Sequence, residues 1–105
     1  MKTCFVVLNY NDSERTTKFL NDVKTYNSID EIVVVDNCST DSSLDILKKQ
    51  ESKKIKIIKA LENKGYGAGN NIGIKYIINK YKKANIFISN PDIVVKEETI
   101  INMCN

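Results

Sequence analysis

The sequence predicts an α/β domain with an open, mostly parallel sheet of about four strands and helices that alternate with them. Short apolar runs rich in β-branched residues recur along the chain, and segments with helical apolar spacing separate them through short connections. The run at 32–35 is Ile-Val-Val-Val, without alternation, as expected of a strand buried on both faces of a parallel sheet. Together these patterns indicate repeated βαβ units.

The same patterns place each element along the chain. The predicted strands are residues 4–8, 31–35, 55–58 and 86–88, and the predicted helices are residues 13–26, 42–49, 70–82 and 96–103. Partial alternation in the third strand favours a position near a sheet edge. Two pairs resemble capping boxes, Asn11 with Glu14 and Ser42 with Asp45. The segment 63–69 contains three glycines and is expected to be a flexible turn.

Length and composition limit the possible functions. With 105 residues, the chain has room for one domain, spanning 1–105. A net charge of +3 with few aromatic residues does not indicate nucleic-acid binding. No histidine is present, which excludes a histidine base or a Ser-His triad within these residues. Three widely spaced cysteines suit a reducing compartment rather than a disulfide framework or a zinc site.

Three polar clusters each follow an apolar strand, at residues 9–12, 36–41 and 90–92. A parallel sheet brings the carboxyl ends of its strands to one edge, where ligands bind in open α/β sheets. The glycine segment follows the third strand on the same side, but its spacing is not that of a dinucleotide fingerprint. The pattern therefore predicts one polar ligand site, not a nicotinamide cofactor site.

Two aspartates in these clusters have both a structural and a functional interpretation. Asp36 is either ordinary polarity ahead of a helix or a carboxylate that accepts a hydrogen bond from a base N–H. Asp41, next to Ser42, is interpreted as a helix cap or a partner of the helix dipole, ahead of a ligand role. Pro91 stiffens the turn that presents Asp92, which is either a simple turn residue or a ligand for Mg²⁺ or Mn²⁺.

Three sequence blocks occur in a specific order, at residues 33–42, 63–73 and 90–92. Together they resemble the amino-terminal half of family-2 inverting glycosyltransferases, in the branch similar to bacterial rhamnosyltransferases. The resemblance covers essentially the whole chain. It implies the Rossmann-like, nucleotide-binding half of a glycosyltransferase A fold.

The resemblance also implies roles for individual residues. Asp36 would bind a uracil or thymine base, Asp92 would bind the metal, and Asn90 replaces the usual first aspartate of a D-x-D motif. Asn70 lies near this set. The implied nucleotide-binding residues are Asn9, Tyr10, Asp36, Asn37, Lys64, Gly65, Asn71, Asn90 and Asp92.

For function, the resemblance implies a donor site that binds a UDP- or dTDP-linked sugar together with Mg²⁺ or Mn²⁺. The expected reaction is glycosyl transfer to a saccharide or lipid-linked acceptor during surface polysaccharide synthesis, in the cytoplasm or peripherally at the inner face of the membrane. The catalytic base is expected in a carboxyl-terminal half beyond these residues, so no catalytic residue is assigned and activity is left open. Two alternatives are a non-catalytic module that forms a homodimer through a bare sheet edge, and a receiver-like domain phosphorylated on Asp36.

Overall fold

In the computed structural model, residues 1–104 are described, and Asn105, the last residue of the predicted domain, lies outside them. Strands and helices alternate along the chain. The elements are β1 Lys2–Asn9, α1 Ser13–Val23, β2 Glu31–Asp36, α2 Ser43–Lys48, β3 Ile55–Lys59, α3 Tyr66–Tyr81, β4 Ala84–Ser89 and α4 Glu97–Cys104. Among them, no helix is both long enough and apolar enough to cross a membrane.

The four strands form one parallel sheet in the order β3-β2-β1-β4. One face packs on α1, α2 and α4 around Phe5, and the other packs on α3 around Val6. All six residues of β2 are buried, as its unbroken apolar run predicts. The predicted α/β class, the parallel sheet and the edge position of β3 are confirmed.

Helix α3 begins at Tyr66, so the prediction of a flexible turn reaching Gly69 is wrong. Gly69 and Gly73 in this helix serve close packing on the sheet instead. A Cβ on Gly69 would lie 2.4 Å from a methyl of Leu8, and one on Gly73 would lie 2.7 Å from a methyl of Val6. Tertiary contact therefore outweighs the low helix propensity of glycine here.

A buried acid, Glu31, lies at the amino end of β2, away from the predicted site. Its Oε1 accepts hydrogen bonds from Lys80 Nζ, at 2.7 Å, and from the Tyr81 hydroxyl. Burial by itself would raise the pKa of Glu31, but these hydrogen bonds outweigh it and the net pKa is lowered. The same environment raises the pKa of Tyr81 to about 12, chiefly through burial. This cluster joins β2 to the carboxyl end of α3.

We expect Gly73→Ala to lower the free energy of unfolding by about 1–3 kcal/mol, because Val6 and the helix must separate to admit the new methyl. Gly67→Ala is the matched control, since its Cβ would meet no atom within 4 Å. In the first turn of the same helix, alanine should stabilise the fold by up to about 1 kcal/mol. Urea denaturation of both variants measures the difference; equal effects would contradict the close helix–sheet contact.

Candidate functional site

Main-chain hydrogen bonds connect the loops at the carboxyl edge of the sheet. Asn37 N donates to Asn9 O at 2.8 Å, which joins the ends of β1 and β2. Ala60 N donates to Asp36 O at 2.9 Å, which joins the ends of β2 and β3. The predicted convergence of separate polar clusters at one edge is present in the structure.

The carboxylate of Asp36 is almost completely buried, at 1% residue exposure, and lies at the centre of this edge. Its Oδ1 accepts hydrogen bonds from Asn9 Nδ2 at 2.9 Å and from Ser39 Oγ at 2.6 Å. Its Oδ2 accepts one from Ser39 N at 3.1 Å. In this arrangement Asp36 holds two strand ends and a loop together.

Asn9 is also buried rather than exposed to a ligand. Its Oδ1 accepts a hydrogen bond of 2.6 Å from the hydroxyl of Thr16 in α1. Since its Nδ2 binds Asp36, this side chain joins the helix to the carboxylate. Thr16 was not singled out in the sequence, because a threonine inside a helical pattern gives no sign of a buried polar partner.

Neither predicted capping box forms: the cap of α1 is Asp12 rather than Asn11, and the cap of α2, Ser42, makes no side-chain cap hydrogen bond. The Asn11 side chain instead accepts hydrogen bonds from Thr40 N at 2.8 Å and Asp41 N at 3.3 Å. Asn11 therefore joins the loop after β1 to the loop after β2. Asp41 accepts a hydrogen bond of 2.8 Å from Ser43 N, which confirms its predicted capping role, and hydrogen bonding from Ser43 holds the pKa of Asp41 below its usual value.

An open cleft of about 290 Å³ lies between the ends of β1 and β4. It brings together three of the predicted residues, Tyr10, Asn90 and Asp92. Asn90 Oδ1 accepts a hydrogen bond of 3.0 Å from the hydroxyl of Tyr66, the first residue of α3. The remaining lining residues are Leu8, Asp12, Arg15, Tyr66 and Pro91.

The other predicted residues lie beside the first turn of α3. Asn37 Nδ2 and Gly65 N both donate to Asn63 Oδ1, each at 3.0 Å. Lys64 is exposed, lies 3.0 Å from a carboxylate oxygen of Glu62 and lines a separate groove of about 240 Å³. Asn71 is exposed on the same helix. The predicted site thus divides into a cleft, a groove and a buried scaffold.

Two buried amide oxygens near this edge, Asn37 Oδ1 and Asn70 Oδ1, have no hydrogen-bond partner within residues 1–104. Each residue is 4% exposed. A buried acceptor without a donor costs about 1–3 kcal/mol. A donor from water or from a ligand would remove that cost.

Asp92 and Asp12 line the same cleft, but the described residues contain no group of three or more side chains that could hold a metal ion by themselves. Mg²⁺ and Mn²⁺ are commonly held by one or two carboxylates together with substrate phosphates. The residues present therefore fit a divalent ion that a bound diphosphate helps to coordinate. Asn90 contributes no charge, and its oxygen already accepts from Tyr66.

Comparison with known proteins agrees with the fold. The model of the family described as "Glycosyl transferase family 2" matches residues 4–103. The chain belongs to this family. A hexosyltransferase of low-salt glycan biosynthesis from Haloferax volcanii, Agl10, is 28% identical over 95 residues, which are 90% of this chain and 29% of that relative.

Solved structures share the fold. TarS from S. aureus (residues 1–349) is 27% identical with a TM-score of 0.77, over 99% of this chain and 31% of TarS, and a second TarS structure contains UDP. The mannosyltransferase PcManGT from Pyrobaculum calidifontis, in complex with GDP-Man and Mn²⁺, is 18% identical with a TM-score of 0.79, over 98% of this chain and 31% of that enzyme. The chain therefore spans about a third of the length of these matched proteins.

Asp36→Asn should lower the free energy of unfolding by about 2 kcal/mol, because the new amide group would face three donors and leave at least one of them unpaired. The matched control is Asp45→Asn, an exposed aspartate in the first turn of α2. Thermal denaturation followed by circular dichroism measures both. An unchanged melting temperature in Asp36→Asn would show that this hydrogen-bonded centre does not hold the edge together.

Proposed function

We propose that this family-2 domain binds the nucleoside diphosphate of a UDP- or dTDP-linked sugar, together with Mg²⁺ or Mn²⁺, at the carboxyl edge of its sheet. The observation that carries the proposal is the cleft that unites Tyr10, Asn90 and Asp92 from two strand ends. The similarity to TarS, which has been crystallised with UDP, supports a uridine nucleotide. PcManGT, which shares the fold, has been solved in complex with GDP-Man and Mn²⁺.

The residues have distinct roles in this proposal. The exposed ring of Tyr10 packs on the nucleoside, and Asp92 holds the cation beside the diphosphate. A bound Mg²⁺ or Mn²⁺ supplies positive charge that stabilises a departing diphosphate. Lys64, Gly65 and Asn71 line the nucleotide from the start of α3.

Asp36 has the most demanding role, because its buried carboxylate already accepts three hydrogen bonds. Recognition of a base N–H therefore requires the Ser39 hydroxyl to rotate away from Oδ1. Asn37 and Asn70 lie nearby with unpaired amide oxygens that a ligand donor could satisfy. Asn9 acts by orienting Asp36 rather than by touching the nucleotide.

The wider reaction follows from the family. We expect glycosyl transfer to a saccharide or lipid-linked acceptor in cell-surface glycan synthesis, in the cytoplasm or peripherally at the inner face of the membrane. A carboxylate base that deprotonates the acceptor hydroxyl is expected outside these residues. The residues described here would bind and orient the donor.

Calorimetric titration with UDP and with dTDP, with and without Mn²⁺, tests the donor site. We expect binding that Mn²⁺ strengthens, and Asp92→Ala should remove the Mn²⁺-dependent part, at least about tenfold in Kd, or about 1.4 kcal/mol. The side chain is exposed, so circular dichroism should show an unchanged fold. Asp45→Ala, an exposed α2 residue that does not line the cleft, is the control and should bind like the wild type. If Mn²⁺ strengthened binding equally in Asp92→Ala and in the wild type, Asp92 would be only a turn residue.

A second candidate function is self-association. The outer edge of β4 is unpaired within residues 1–104, and apolar side chains lie exposed on and near it. Ile88 is 49% exposed, Val94 71% and Met103 68%. Together with Phe87 and Ile93 they line a cleft of about 390 Å³. Exposed edge strands and apolar patches of this kind favour pairing with another chain.

Sedimentation velocity over a hundredfold range of protein concentration tests this alternative. If β4 pairs two copies, the sedimentation coefficient should rise with concentration, and Ile88→Lys should keep the protein monomeric, because it places a charge on the edge. Ile46→Lys, at a 39% exposed isoleucine on α2, is the control. A concentration-independent monomer would rule out the homodimer.

A further inference from the structure

Arg15 lies in the first turn of α1 and lines the same cleft as Asp92. It also lines an adjoining cleft of about 190 Å³ that includes Asp92 and Lys18. Its side chain is 64% exposed, so most of the guanidinium is available to a ligand. No sequence pattern marked this residue.

The fold itself gives little reason for an arginine at this position. Within residues 1–104 its one ion pair is loose, with Nε 3.9 Å from Asp12 Oδ2, and exposed pairs of this kind contribute little to stability. A cation in the first turn of a helix also opposes the helix dipole. Arg15 is therefore a cation that the fold places at the cleft without using it for stability.

The charges that line the cleft explain what this cation can do. Asp12 and Asp92 are acidic, Asn90 is neutral, and Arg15 is the basic residue of the lining. A diphosphate would be repelled by the two carboxylates unless positive charge offsets them. A guanidinium suits this role, because its planar donors match two phosphate oxygens and it stays charged at any working pH.

We propose that Arg15 binds the diphosphate of the nucleotide donor and supplies a part of its affinity that does not depend on the divalent cation. This inference rests on the proposed donor site and names a residue within it. It assigns the nucleoside contact to Tyr10, the metal-dependent contact to Asp92 and the metal-independent phosphate contact to Arg15.

Titration of UDP and of uridine, each in EDTA and in Mn²⁺, tests the assignment. Arg15→Ala should weaken UDP about tenfold in both conditions and leave uridine unchanged, because uridine has no phosphate. Arg15→Lys should restore part of the loss by charge alone. The control is Lys24→Ala, which removes an exposed cation at the carboxyl end of the same helix, outside both clefts, and it should bind UDP like the wild type.

Three outcomes would overturn the inference: unchanged UDP affinity in Arg15→Ala, an equal loss for uridine, or a loss of the same size in Lys24→Ala. Circular dichroism of the exposed variants checks that each is folded. If the wild type binds neither UDP nor uridine in either condition, the proposed donor site itself fails. Binding of both by the wild type with no effect of Arg15→Ala rejects the role of Arg15 alone.

Discussion

The candidate site depends on the hydrogen bonds that the buried carboxylate of Asp36 accepts. This carboxylate accepts from Asn9 and from two donors of Ser39, so it joins β1, β2 and the loop after β2. Asn9 extends the connection to α1 through Thr16. A buried charge is tolerated because its partners are polar groups of the same edge. Tyr10, the next residue after Asn9, depends on this scaffold for its position in the cleft.

Much of the fold was predictable from local pattern. The unbroken run of β2 and the polar residues that follow each strand indicate a parallel sheet with a site at one edge. The start of α3 was not predictable, because glycines typical of a turn here permit contact with Leu8 and Val6. The partners of Asn11 lie about thirty positions away in Thr40 and Asp41, beyond what local spacing can indicate.

The sequence predicted which residues belong to the candidate site better than it predicted how they are arranged. Tyr10, Asn90 and Asp92 share an exposed cleft, whereas Asn9 and Asp36 are buried beneath it. Sequence alone marks all of them as polar residues after strands. Only the tertiary contacts distinguish the residues that are exposed in the cleft from the residues that are buried and connect the strand ends. The tertiary structure also places Arg15 at the cleft, although this residue belongs to no recognisable motif.

The buried acids at the two ends of β2 have a consequence for how the sheet assembles. The four residues between Glu31 and Asp36 are all β-branched and buried on both faces, so they offer no polar side to distinguish one strand alignment from the next. Glu31 meets Lys80 and Tyr81 at one end, and Asp36 meets Asn9 and Ser39 at the other. A shift of β2 by one position would leave the buried carboxylate at each end without its hydrogen-bond partners. The two acids at the ends of β2 therefore fix the register of a strand whose middle residues do not distinguish one alignment from another.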